Sequence, residues 1–203
     1  MGRPPRHDRD RLLDAAVDLA CEDGPAAVTV AAVARAAGAP SGSVYHRFPS
    51  AAALLAALWL RTLERFQDGF VAAASGEPAE EAVAAAARHV VAWSRAHPRE
   101  AQVLFYGPRA FGRSSWPAAE ADRFDTGNRR VRTALTGLAA RLGRPDEVDR
   151  IVLATVDVPY GLVGRHLRAG TPIPASAEDL VADAAAALLQ SRRNSDPQTA
   201  PQP

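Results

Sequence analysis

Apolar residues recur with a helical period along most of this chain, and no pair of segments alternates in the way that marks paired strands. The first stripe is Leu12, Leu13, Ala16, Val17, Leu19 and Ala20, on a helix expected over about 9–22 and ended by Asp23-Gly24-Pro25. A shorter face follows, with Val30, Val33, Ala34 and Ala37 at i, i+3, i+4 and i+7. Thr29 stands just before it, where its hydroxyl can cap the free N–H groups of the first turn. Gly38 then suits a left-handed turn that a β-carbon disfavours. On a third short helix Val44 and Phe48 turn inward, Ser41, Ser43, Tyr45 and His46 turn mostly outward, and Pro49 stops the run. A small polar helix bearing an aromatic ring, presented by a tight turn, is what a DNA major groove admits. The pattern over 29–48 is a helix-turn-helix.

The remaining periodicity predicts an all-α chain. A fourth helix over 50–74 carries Leu54, Leu55, Leu58, Leu63, Phe66 and Phe70. Ser75-Gly76-Glu77-Pro78 breaks it, and a helix over 79–96 with Val83, Val90 and Trp93 stops at His97-Pro98. A short helix over 99–106 leads into a Gly-, Pro- and Ser-rich loop over 107–117 that embeds Phe111 and Trp116. Val131, Leu135, Leu138 and Leu142 mark a helix over 118–142, and Ile151, Val152, Val156, Leu162 and Val163 another over 146–169. Pro159 lies inside the second pattern and should bend or break it. After Thr171-Pro172-Ile173-Pro174, Ser176 to Asp179 reads as a capping box for a last helix with Leu180, Val181, Ala184, Ala187 and Leu188. The domains expected are 1–55 with an arm at 1–8, then 56–190, then a polar, proline-rich tail at 191–203 for which disorder is the default.

Charge qualifies this picture. The net charge is +1, which gives no general pull toward nucleic acid or membrane. There is no lysine, so every fixed cation is an arginine. Over 1–50 the six arginines (3, 6, 9, 11, 35, 47) are matched by six acids (8, 10, 14, 18, 22, 23). What remains is a local concentration at Arg3, Arg6, Arg9 and Arg11, plus Arg47, and this predicts a shallow salt dependence of DNA binding.

Other chemistry is sparse. The single Cys21 excludes an intramolecular disulfide framework, suits a reducing cytoplasm, and reads as core on the first helix. The opening residues are charged and lead into an amphipathic helix, unlike a signal peptide, and the longest apolar stretch, 51–60, is too short to span a bilayer. No glycine-rich phosphate loop, zincin histidine pair or nucleophile elbow is present, so no catalytic constellation points to an enzyme. His89 and His97 stand eight apart with no carboxylate partner named by the sequence, and no metal or cofactor is expected. Glu80 and Glu81 point to different faces of one helix and read as solvated.

With these residues in place the first 70 or so positions resemble the TetR family of bacterial transcription regulators. The resemblance runs through Thr29, Val33-Ala34, Ala37-Gly38-Ala39, Ser43-Val44-Tyr45-His46-Arg47-Phe48-Pro49-Ser50 and Leu54-Leu55. Pro40 stands where the family commonly opens its recognition helix with serine, and Ala51 where it commonly has a phosphate-contacting lysine. The resemblance implies DNA-binding roles for Thr29, Ser41, Gly42, Ser43, Tyr45, His46 and Arg47. It also implies a homodimer formed by the last two long helices, reading a palindromic operator on double-stranded DNA. Gly161, Gly164 and the alanine-rich last helix are compatible with close helix approach. A small-molecule effector, apolar or aromatic, is implied among the central helices, with Trp93, Phe105, Phe111, Tyr160 and His166 as candidate lining. Ordinary core packing is the competing role for each of those five. The function expected is a ligand-controlled, cytoplasmic transcriptional repressor. The competing class is a helical ligand-binding or interaction protein that keeps the head but has lost operator binding.

Overall fold

The computed structural model describes residues 5–190, with side chains from residue 9 onward, and contains no strand among them. Two compact units are built from interleaved segments, 1–67 with 96–129 and 68–95 with 130–203. The arm at 1–8 and the tail at 191–203 named above fall outside the described side chains.

In the first unit α1 (Pro5–Asp23) starts four residues earlier than its apolar stripe suggested. It packs Leu12, Leu13, Ala16, Val17 and Ala20 against α2 (Val30–Ala36), which in turn packs on α3 (Ser41–Arg47), so that all three share one buried cluster. The Thr29 hydroxyl accepts from the Ala32 N–H at 3.1 Å, so the predicted cap is made. Gly38 has φ +61°, the left-handed value expected of the turn. Pro40, fixed at φ −60° and ψ 138°, delivers an extended entry to α3 in place of a side-chain cap. The Ser50 hydroxyl caps α4 (Ala51–Ala74) by accepting from Ala53 N–H at 3.1 Å.

The core of this unit is larger than the head. Leu54, Leu58, Trp59 and Leu60 of α4 join Val103 of α6 (Pro98–Tyr106), Phe111 and Trp116 in one buried cluster. The loop over 107–117 coils into 3-10 turns at Pro108–Phe111 and Arg113–Ser115. The Trp116 indole N–H donates to the Phe111 carbonyl at 2.7 Å, which locks the loop onto the core. Phe124 of α7 (Ala118–Arg141) stacks edge-on against Trp116 at 5.8 Å.

The second unit gathers Phe70 and Ala74, α5 (Ala79–Ala96), Leu135 and Leu138 of α7, α8 (Val148–Val152), α9 (Val158–Ala169) and α10 (Ala177–Gln190). Arginines close its helix ends. Arg144 and Arg150 donate to the carbonyls of Leu189 and Leu188 at 2.7 and 2.8 Å, satisfying the last turn of α10. Glu178 and Asp179 in the first turn of α10 pair with Arg95 and Arg88 on α5 at 2.7 and 3.4 Å.

Pro159 neither breaks the chain's path nor falls in the interior of an α-helix. A π turn over Leu153–Asp157 precedes it, and α9 begins at Val158 with the proline in its first turn. Widening the turn is how a helix accommodates a residue that has no N–H and whose ring crowds the carbonyl four back. No helix among the described residues is long and apolar enough to cross a membrane.

Candidate nucleic-acid interface

The reading helix is held from beneath. Val44 and Phe48 are 0% and 1% exposed, one turn apart, so they fix the rotation of α3 about its axis. That rotation leaves Ser41, Gly42, Tyr45 and His46 exposed, with Tyr45 at 55%. Ser43 and Arg47 lie at the flank, half-buried, one turn apart on the same side. Thr29, exposed at the start of α2, supplies the other end of the motif. The structure therefore brings Thr29, Ser41, Gly42, Ser43, Tyr45, His46 and Arg47 onto one small head, with the outward and inward residues divided as the 3.6-residue period requires.

Two arginines of α1 frame this helix. The Arg9 guanidinium lies 5.1 Å above the Phe48 ring, and a Cβ added at Gly38 would come within 3.8 Å of Arg11 Nη2. Arg9 therefore stands at the C-terminal end of α3 and Arg11 beside the turn between α2 and α3.

The equal count of acids and arginines over 1–50 conceals a spatial separation. Asp10, Asp14, Asp18 and Glu22 form one stripe of α1, spaced four apart. Arg61 of α4 donates to the Asp10 carbonyl at 3.1 Å and pairs with the Asp10 and Asp14 carboxylates at 3.7 and 2.8 Å. Arg99 of α6 bonds the Asp18 carboxylate and holds Glu22 at 3.0 Å, and these two carboxylates raise its pKa further. Four of the six acids are thus engaged by cations from outside the first fifty residues. The tally read from the sequence therefore counts as unpaired four acids that the fold pairs with Arg61 and Arg99.

Arg61 and Trp59 are residues that the sequence pattern did not single out. Arg61 Nε and Nη2 and Trp59 Nε1 are buried without a hydrogen-bond partner among the described residues. The only signal for Arg61 was a cation directly after the apolar run 51–60 at the start of α4.

Cys21 is not the full core residue expected. It is half-buried where α1 meets α6, its thiol donating to the Arg99 carbonyl at 3.3 Å, and burial raises its pKa. His97 does have a carboxylate neighbour, Glu100 Oε2 at 3.3 Å, one turn on in α6. Among the described residues no three His, Cys, Asp or Glu side chains converge as a metal site would need. Glu80 and Glu81 are exposed.

The five candidate ligand residues do not form one cluster within either unit. Phe105 and Phe111 belong to the first, Trp93, Tyr160 and His166 to the second. Phe111 is 0% exposed, tilted against Trp59 at 5.6 Å and Tyr106 at 6.4 Å, so its side chain is structural packing. Tyr160 is 47% exposed on α9, and burial of the rest of its ring raises the phenol pKa. His166 Nδ1 stands 3.1 Å from the Thr171 hydroxyl, at the end of the same helix. A hollow of about 280 Å³ in the second unit is lined by Glu80, Leu142, Arg144, Ala186, Leu189 and Gln190, none of them a candidate.

Comparison with known proteins agrees with the head. Residues 12–58 match the family model for bacterial regulatory proteins of the tetR family. Solved structures similar to the whole chain include a transcriptional regulator from Rhodococcus sp. Rha1, at 22% identity and TM-score 0.73, covering 91% of this chain and 96% of that one. A TetR family transcription regulator from Marinobacter aquaeolei VT8 aligns at 19% identity and TM-score 0.70, over 90% of this chain and 96% of that one. The FadR regulator from Bacillus subtilis in complex with stearoyl-CoA aligns at 16% identity and TM-score 0.62, over 87% of this chain and 97% of that one. No curated protein sequence matches the chain. The matched family consists of regulators rather than enzymes.

Proposed function

We infer that this TetR-family chain, a DNA-binding transcriptional regulator, acts as a homodimeric repressor whose hold on a palindromic operator is controlled by a small molecule. The observation that carries the reading is α3, pinned by Val44 and Phe48 and showing Ser41, Gly42, Tyr45 and His46 to solvent. In this reading Tyr45 and His46 meet bases or backbone, Gly42 lets the helix approach the groove closely, and Arg9 and Arg11 face phosphates beside it.

The dimer is supported by the second unit. Leu153, Tyr160 and Leu180 are 40%, 47% and 57% exposed, large apolar side chains presented by the π turn, α9 and α10. Gly161 is exposed on α9 with open space where a Cβ would stand, so a facing helix could come close there. A two-fold pair of heads reads two half-sites about one turn of DNA apart, roughly 34–36 Å. An effector that binds better to a conformation with another spacing releases the operator, and its leverage is its difference in affinity between the two states. The effector proposed is apolar or aromatic. Long-chain acyl-CoA thioesters are worth an early trial because the Bacillus subtilis neighbour was solved with stearoyl-CoA.

Fluorescence-anisotropy titration of the DNA flanking the gene, against scrambled competitor, tests the reading. Tight binding that survives competitor and is relieved by an apolar ligand supports it. A folded dimer that binds both DNAs equally supports instead a helical interaction protein that has lost operator binding.

A further inference from the structure

Arg47 does not extend away from α3. Its Nη1 donates to the Ser43 carbonyl oxygen at 2.9 Å and to the Ser43 hydroxyl oxygen at 2.7 Å. The two residues are one turn apart, on the flank of the helix away from Ser41 and Tyr45 and next to the outward Gly42 and His46. A serine hydroxyl has one hydrogen to donate and two lone pairs to accept with. One of those lone pairs is filled here by a cation, which polarises the hydroxyl toward donation. A serine within a helix commonly spends its proton on the carbonyl four residues back. For Ser43 that residue is Ala39, which lies before the first residue of α3. Among the described residues the Ser43 hydroxyl donates to no protein acceptor, and the Pro40 carbonyl three residues back is taken by the Ser43 N–H, so the proton is available to a partner.

We propose that Arg47 is a positioning residue that holds the Ser43 hydroxyl as a donor toward the base edges. The head then prefers a hydrogen-bond acceptor at the position Ser43 meets, a purine N7, guanine O6 or thymine O4, over the amino groups of adenine or cytosine. The inference rests on the reading of the head as a DNA reader. It departs from the simpler role for an arginine in such a head, direct contact with a phosphate, and the two roles leave different traces. A phosphate contact adds affinity for every sequence and steepens the salt dependence, whereas a positioned hydroxyl adds preference at one base pair and leaves the salt dependence alone.

The test measures anisotropy binding of the full chain to its selected operator and to operators substituted one base pair at a time, over a salt series. Wild type is compared with Arg47→Ala, Arg47→Met, Ser43→Ala and the Arg47→Ala/Ser43→Ala double variant. Arg47→Met keeps the apolar stem, so it guards against a loss of packing, and thermal melting checks each fold. Discrimination should fall about three- to tenfold at one base pair per half-site, the same pair for Arg47→Ala, Arg47→Met and Ser43→Ala. The double variant should lose no more than the larger single loss. The log–log salt slope should stay at the wild-type value. A uniform loss across all operators with a slope shallower by about 0.9 per contact would overturn the proposal in favour of phosphate binding. Losses at different base pairs, or losses that add, would overturn it as well. If folded wild-type protein selects no DNA sequence, the reading of the head fails first and the positioning role with it.

Discussion

Tyr45 and Tyr160 are exposed to nearly the same extent, 55% and 47%, yet their surroundings assign them to different kinds of partner. The outward residues that share α3 with Tyr45 are Ser41, Gly42 and His46, small or polar, and α1 brings Arg9 over Phe48 and Arg11 beside Gly38 in the same head. Tyr160 shares the second unit with the exposed Leu153, Gly161 and Leu180 on the π turn, α9 and α10, and Arg168 is the charged group that acts on its phenol. A polar face beside cations suits a polyanion with hydrogen-bonding edges, and an apolar face suits a protein surface. Exposure alone does not say what a side chain meets; the chemistry of its neighbours does.

The largest effect is expected in the aromatic core of the first unit. Phe111→Ala should destabilise the protein by about 3–5 kcal/mol in urea unfolding, because the ring is fully buried against Trp59. A variant as stable as wild type that altered only ligand response would return Phe111 to the effector site. Next in size, Leu180→Asp should shift dimer to monomer in sedimentation velocity, raising the dissociation constant by about a hundredfold, since each of two copies buries a charge. An unchanged dimer would show that this face of α10 meets no second copy.

Tyr45→Ala should weaken operator binding by about tenfold or more, with the melting temperature and the dimer unchanged. Unaltered operator affinity would remove Tyr45 from the reading face. The smallest effect expected is that of Thr29→Ala, about 1 kcal/mol of stability from the lost cap of α2. A loss of operator affinity far beyond that stability change would mean that the Thr29 hydroxyl also serves the DNA.

The head was legible in the sequence because fold and function there share one short, local pattern. Val44 and Phe48 had to be one turn apart to hold α3, and their spacing alone divides the inward residues from Tyr45 and His46. Thr29 and Gly38 announced their roles through backbone chemistry that few other residues satisfy equally well. The electrostatics were not legible in the same way. A tally over 1–50 could not foresee that Arg61 and Arg99, distant in sequence, would engage the acidic stripe of α1.

The C-terminal half was legible as helices but not as a site. Phe111 and Tyr160 are both aromatic residues in the expected region, and only long-range packing makes one core and the other surface. Pro159 marked an irregularity in the right place, but whether a helix breaks, kinks or widens depends on what packs around it, and here it widens over Leu153–Asp157.

Selection of bound sequences from a random DNA pool by the full-length protein tests the central claim, that a paired α3 surface reads DNA, most directly. The expected result is an enriched palindrome whose half-site centres lie about 10–10.5 base pairs apart or a multiple of that, and loss of the enrichment with Tyr45→Ala. A folded protein that enriches no motif, or a motif that Tyr45→Ala recovers unchanged, would contradict it.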